Sequence, residues 1–183
     1  PDDPTRQWWS IEGKIRGLRF PTLSEQQLQE TSQQTGKSVA TPLAAREMDD
    51  VSLRLKHMDD LGVDVQVLHN TLYIEPVAQK PDVEAAIARS WNRWMAEVWK
   101  QGEGRLRYAC IVPTQTLDEA LVQMRTAQKN GAVAGCMRPL EGDRAMGYPY
   151  FYPIYEEATR LNMAIAVQLA NGCLLYTSDA ADE

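Results

Sequence analysis

Four times this chain passes from a helix-like stretch through a short polar or glycine-containing step into a compact apolar run. The runs are 63–68 (VDVQVL), 108–112 (YACIV), 133–137 (VAGCM) and 164–167 (AIAV). Continuous apolar strands fed by amphipathic helices are what a parallel sheet buried on both faces requires. Crossovers between such strands are nearly always right-handed, so four helix–strand units in succession predict a sheet with its helices outside. Sheets of this kind carry their chemistry at the C-terminal ends of the strands. Those ends read here as His69-Asn70, Pro113-Thr114-Gln115, Arg138-Pro139 and Gln168. The pattern alone leaves open whether the sheet closes as a barrel.

The helices follow from apolar spacing. Met48, Val51, Leu55 and Met58 predict one helix over 44–61, stopped by Gly62. Pro81-Asp82 opens a second, running to about 101, with Ile87, Trp91, Trp94 and Val98 as its core-facing stripe. Thr116 with Glu119 three residues on has the pattern of a capping box, and Leu117, Leu121 and Met124 continue into a helix that Asn130-Gly131 ends. After a Gly/Pro-containing loop over 140–149, a last helix covers 150–161. Upstream, 7–18 reads as a hairpin turning at Glu12-Gly13, and 24–38, rich in Gln, Ser and Thr, as a mobile loop or a weak helix.

A chain of 183 residues can bury a sizeable core. No apolar run approaches membrane-spanning length. No basic patch is present, so neither a membrane nor nucleic acid is an expected partner. Cys110 and Cys136 sit inside apolar runs, which suits buried, reduced thiols and a cytoplasmic protein. Both ends stand apart. The chain starts at Pro1 inside a polar segment, so the native N-terminus is expected upstream. Residues 173–183 (CLLYTSDAADE) resemble a translated sequencing adapter, and without their Asp179, Asp182 and Glu183 the formal charge falls from −6 to −3. The expected organisation is 1–43, a hairpin and mobile loop after a missing first strand; 44–172, four helix–strand units; and 173–183, a non-native tail.

The segment Arg54-Leu55-Lys56-His57-Met58-Asp59-Asp60-Leu61-Gly62-Val63-Asp64-Val65 resembles the R-L-x-x-M-D-x-x-G-[IV]-D-[VK] signature of the amidohydrolase-related family, the group that contains aminocarboxymuconate-semialdehyde decarboxylase. Further matches follow in order: Asn92-Arg93-Trp94-Met95-Ala96-Glu97, Arg105-Leu106-Arg107 leading into Val112-Pro113, and Tyr152-Pro153-Ile154-Tyr155-Glu156. The resemblance implies an α/β fold, a distorted (β/α)8 TIM-type barrel, of which this chain supplies about strands two to five. It also implies a divalent metal, zinc or manganese. The first-strand metal pair of the family would lie before Pro1, and its last metal-binding Asp and catalytic His beyond Gly172. One family metal position, a His at the end of the fifth strand, falls on Gln168. A Gln amide oxygen is a weak zinc ligand. Three readings stay open there: a natural replacement, a one-base error between Gln and His codons, or a shifted strand alignment.

His69 and Asn70 end the first of the four strands and are candidate substrate contacts, with local capping as the other reading. Arg138 could grip a substrate carboxylate, or pair with a loop acid such as Glu141 or Asp143. Arg16 and Arg19 could reach over the barrel mouth but are more simply solvated, as is His57. Asp59 and Asp64 fall on the stability face and suit capping or salt bridging. There is no G-x-G-x-x-G, P-loop or G-x-S-x-G. The reading is therefore a fragment of a metal-dependent hydrolase or C–C decarboxylase acting on a small carboxylate-bearing substrate. The fragment itself is expected to be inactive and the parent protein a homo-oligomer. The alternative is a barrel that has lost its metal site at Gln168 and serves as a binding protein or metal-free lyase.

Overall fold

The structure is a computed structural model that describes residues 7–18, 24–35, 42–74 and 76–168. The chain forms two compact units, Pro1–Asp64 and Val65–Glu183.

In the first unit, β1 (Trp8–Ile11) and β2 (Lys14–Leu18) make the expected antiparallel hairpin, with a bulge between Trp9 and Ser10. Its two turn residues, Glu12 and Gly13, both have positive φ, the conformation that matches the twist of a tight hairpin. Within 24–35 the chain is helical: α1 spans Glu25–Thr35. Its start is a capping box, in which Ser24 Oγ accepts from the Gln27 N–H (3.3 Å) and Gln27 Oε1 accepts from the Ser24 N–H (2.9 Å). The single helix expected over 44–61 is instead two, α2 (Leu43–Arg46) and α3 (Val51–Asp60). Met48 turns left-handed at φ 60°, and Asp50 caps the second helix by accepting from the Leu53 N–H at 2.9 Å. Val51, Leu55 and Met58 are buried as expected. Gly62 ends α3 in a Schellman arrangement, with Val63 N–H on Met58 O and Gly62 N–H on Asp59 O.

The second unit holds the parallel sheet, in the order β3 (Gln66–Leu68), β4 (Leu106–Ile111), β5 (Ala132–Met137) and β8 (Ala164–Val167). Helices α4 (Pro81–Gln101), α5 (Leu117–Lys129) and α6 (Tyr152–Leu161) make the crossovers. The four strands are the four apolar runs of the sequence, although the first is shorter than its run. The sheet curls. In a flat sheet three strand spacings would separate β3 from β8 by about 14 Å, more than a glutamine side chain spans. Yet Gln168, one residue past β8, donates from Nε2 to the carbonyl of Asn70, two residues past β3, at 2.9 Å. This is a half-barrel, the partial TIM-type barrel that the family resemblance implied and that the apolar pattern alone left open.

Two expected details of the helices are corrected. The buried stripe of α4 runs through Ala85, Ala88, Asn92, Met95 and Val98, one residue round from the expected Ile87/Trp91/Trp94/Val98 face, and Trp94 is 44% exposed. Small side chains let the helix lie close on the sheet, and the indoles pack from its flanks. Trp91 meets the Tyr108 ring edge-on at 5.9 Å. Thr116 does start α5, but its side chain caps nothing. Glu119 turns instead to Gln123 Nε2 (2.9 Å) and Arg89 (3.2 Å).

Asn92 has a role that the sequence did not disclose. Its Oδ1 accepts from the Ile111 N–H (2.8 Å), and its Nδ2 donates to Ile111 O (3.0 Å) and to Gln123 Oε1 (3.1 Å). The β3–β4 ladder ends at Leu68↔Tyr108, so Ile111 lies beyond the short edge strand. A side-chain amide offers one donor and one acceptor as a peptide does, and here it replaces the missing strand.

Candidate functional site

Because the four strands are parallel, their following residues emerge at one end. Among the described residues three loops build that end. The β3–α4 loop has a 3-10 turn at Leu72–Ile74, seated by Asn70 Oδ1 accepting from the Tyr73 N–H (3.1 Å). The β4–α5 loop carries Thr114 and Gln115. After β5 the predicted loop contains a small hairpin, β6 (Leu140–Glu141) and β7 (Arg144–Ala145), which folds Glu141 back over Arg138.

Arg138 and Glu141 form the floor, both buried. Glu141 Oε1 accepts the Arg138 backbone N–H at 2.7 Å, and Oε2 accepts Arg138 Nε at 3.0 Å and Thr114 Oγ1 at 2.9 Å. Arg138 Nη2 pairs with the same Oε2. Arg138 Nη1 donates to Tyr73 O at 3.4 Å, and the guanidinium stands 5.9 Å from the Tyr73 ring centre. A second carboxylate, Glu84 of α4, lies 3.7 Å from Arg138 Nη2 and is 3% exposed. Its Oε2 accepts the Gln115 N–H at 2.9 Å. Burial is the largest influence on Glu84 and raises its pKa above the ordinary value, against the opposing pull of the Gln115 N–H and of Arg138. Burial likewise raises the Tyr73 phenol, whose OH donates to Glu84 O at 3.1 Å. Beside this floor opens a cleft of about 480 Å³, lined among others by Ala78, Gln79, Thr114, Gln115, Arg144 and Phe151.

Of the two readings open for Arg138, the structure contains the ion pair with Glu141. His69 is exposed past β3 and makes no hydrogen bond among the described residues. Asn70 spends its Oδ1 on the local turn. His69, Asn70 and Gln168 lie outside the lining of the cleft. His57 is half-buried on α3, Arg16 is half-buried on β2, Asp59 and Asp64 are exposed, and Arg19 lies outside the described residues. Sequence reasoning missed Glu84, Tyr73 and Arg144. A signal for Glu84 existed: it stands four and eight residues before Ala88 and Asn92, on the stripe of small and polar residues that α4 buries.

Gln168 is fully engaged. Its Nε2 must face the Asn70 carbonyl, so its Oε1 faces the Cys136 thiol, which donates to it at 3.2 Å. Among the described residues no three His, Cys, Asp or Glu side chains gather around a shared point. The described residues thus do not of themselves fit zinc or manganese. Cys110 and Cys136 are both free thiols, as expected, and buried. Desolvation pushes the Cys110 thiol up to about 12 and that of Cys136 up to about 11. Cys173 lies outside the described residues. No described helix is long and apolar enough to cross a membrane.

No protein-family profile matches the chain, and no curated protein does. Solved structures do. Metarhizium anisopliae IDCase in its apo form is 17% identical with a TM-score of 0.55, over 64% of this chain and 32% of that one. A structure described as amidohydrolase II is 16% identical at 0.56, over 65% and 39%. The 2,6-dihydroxybenzoate decarboxylase from Rhizobium is 22% identical at 0.53, over 61% and 37%. Its complex with 2,6-dihydroxybenzoate matches equally. The chain thus spans roughly a third of the length of each neighbour, and what it shares with them is the fold, a parallel half-barrel with its helices outside.

Proposed function

We propose that this chain is part of a metal-dependent barrel enzyme of the amidohydrolase superfamily, a hydrolase or C–C decarboxylase acting on a small carboxylate-bearing substrate. The observation that carries the reading is the meeting of the two outer strand ends, Gln168 on Asn70 at 2.9 Å. It gathers all four strand ends into one mouth, where barrels of this kind hold substrate. The ordered family motifs and the likeness to a dihydroxybenzoate decarboxylase support it.

In this reading His69 and the amide NH2 of Asn70 contact substrate, and Arg138 holds the floor in shape through Glu141. A substrate carboxylate is better served by Arg144, whose guanidinium lies 4.5 Å from the Tyr150 ring centre. Its ion pair with Asp143 is long, at 3.9 Å, and that Asp side chain is 91% exposed, so the pair is weak and readily exchanged. Zinc or manganese would supply Lewis acidity or a water of lowered pKa, on ligands from outside the described residues. The 183-residue chain alone is expected to show no metal-dependent turnover, and the parent protein to work in the cytoplasm as a homo-oligomer.

The test is elemental analysis of the complete natural protein, together with CO2 release from hydroxybenzoates before and after a chelator. Stoichiometric zinc or manganese and a chelator-sensitive reaction are expected; protein without bound metal sinks the proposal. One observation favours a second reading, a binding protein or metal-free lyase: both ends of the Gln168 amide are committed to Asn70 and Cys136. Metal-free protein that still binds or turns over substrate would establish it.

A further inference from the structure

The turn that carries α5 into β5 is an Asn-Gly pair, Asn130-Gly131. In such a pair the backbone can attack the asparagine side chain, because glycine leaves its own amide nitrogen unshielded by any Cβ. The Gly131 nitrogen bonds to Asn130 Cγ, the Cγ–Nδ2 bond breaks, and ammonia leaves with the Gly131 amide proton. The succinimide then takes up one water and opens at either carbonyl, to aspartate or to isoaspartate. The folded chain holds each reacting atom out of place. Asn130 Nδ2 donates to Thr126 O at 2.8 Å, which keeps the side chain folded back along α5. The Gly131 N–H donates to Gln128 O at 3.3 Å, and the Asn130 N–H to Ala127 O at 2.9 Å. Ring closure needs the Gly131 nitrogen eclipsed with Cβ about the Asn130 Cα–C bond, and at ψ 31° it stands almost opposite. Gly131 is itself buried at φ 89°, where a Cβ would overlap the Trp99 indole. Turning Asn130 to the reactive angle would swing Gly131 out of that seat.

We infer that Asn130-Gly131 is a self-modification site that the fold keeps silent, and that it deamidates only when the α5–β5 junction opens and Gly131 leaves Trp99. The modification is one-way. Isoaspartate adds a carbon to the main chain directly before β5, whose first residue, Ala132, pairs with Tyr108 of β4. The longer link cannot hold both the glycine seat and that register, so a chain that has opened and reacted does not return to the same fold. Chemical modification of the open state is one of the routes by which unfolding becomes irreversible.

The test is incubation of the chain at mildly alkaline pH, in buffer and in urea, followed by tryptic mapping. The peptide that begins at Asn130 excludes the chain's other Asn-Gly pair, Asn171-Gly172. Its conversion to the acid forms is expected to be at least about tenfold slower in buffer than in urea, since even local opening that is much easier than global unfolding gives that protection. Trp99→Ala, which uncovers Gly131, should raise the rate in buffer severalfold and leave the rate in urea unchanged. Equal rates in buffer and urea overturn the inference, and so does a folded Trp99→Ala chain that reacts as slowly as its parent. If that variant does not fold, the comparison of buffer with urea on the unaltered chain decides alone. The consequence is read with Asn130→Gln, which cannot close the five-membered ring but keeps Asn171. After the same time in urea and removal of the denaturant, the variant should recover its tryptophan emission and circular dichroism, and the modified parent should not. Equal recovery overturns the claim that the change is one-way.

Discussion

Replacing Asn92 by Leu should strip β4 of its substitute strand neighbour. The two residues have similar volume, so little cavity is made, and the loss is in polar satisfaction. Asn92 is 4% and Ile111 1% exposed, so water does not replace the amide. The Ile111 N–H and C=O, now at 2.8 and 3.0 Å from Asn92, would each be left buried without a partner. At about 1–3 kcal/mol for each orphaned group, and with a small gain from burying an apolar side chain, the net loss is about 2–5 kcal/mol. That is a large part of the total stability of about 5–15 kcal/mol that a natural domain commands. Asn92→Asp should be no better. It keeps an acceptor for the Ile111 N–H but points a second oxygen at Ile111 O and Gln123 Oε1. Urea unfolding followed by circular dichroism gives the energy, and amide exchange at Ile111 gives the location, since its protection should fall further than that of Cys110 or Ala109. Asn92→Leu within about 0.5 kcal/mol of the parent, the range of an ordinary surface change, with Ile111 still protected, would refute the clamp.

Gly131 ends α5 at φ 89°, where a Cβ would fall 2.2 Å from Trp99 Cδ1; Gly131→Ala should cost about 2–4 kcal/mol from backbone strain and overpacking, read as a lowered urea midpoint with a changed tryptophan emission. The raised thiols of Cys110 and Cys136 should resist a thiol reagent at pH 8 in the folded chain with Cys173→Ser, and both should react in denaturant; rapid labelling of either before unfolding would contradict their burial. Glu157, hydrogen-bonded by Arg160 and by Arg125 (2.9 and 3.2 Å), is held down to about 2. The native state therefore binds fewer protons than the unfolded one, and the stability it contributes is present above about 4.5 and lost as pH falls towards 2. Glu157→Gln should flatten that acid limb, and an unchanged acid limb would count against the pairing. Glu84 has the opposite sign: its raised value makes the native state bind more protons, so its burial costs stability as pH rises from 4.5 through that value. Glu84→Gln should remove that loss, as measured by melting temperature across pH 4–8.

How much was legible depended on how far apart in the chain the interacting groups lie. Apolar runs, the stop at Gly62 and the hairpin at Glu12-Gly13 are set by neighbours within a few residues, and each was readable. The Ser24–Gln27 capping box was equally local, and the polar composition around it concealed it. The face of α4 was misread because tryptophans outweigh alanines in any apolar count. Against a sheet, close approach favours Ala85 and Ala88 and leaves Trp94 44% exposed. The break at Met48 and the idle Thr116 side chain turn on backbone and side-chain choices that tertiary contacts settle.

The sequence by itself determined that this is a parallel βα unit with His69-Asn70, Arg138 and Gln168 at its strand ends, because continuous apolar runs and three-to-four-residue helical spacing are local and hydrophobic burial is not specific about partners. What only the tertiary structure decided is which charges and amides meet. Glu84 reaches Arg138 from 54 residues away, Asn92 serves Ile111, and Gln168 closes the curl on Asn70 across 98 residues. Hydrogen bonds and ion pairs depend on direction and on separations of a few tenths of an ångström. No spacing along a chain encodes them, and they exist only once the sheet has curled and the loops have been brought to one mouth.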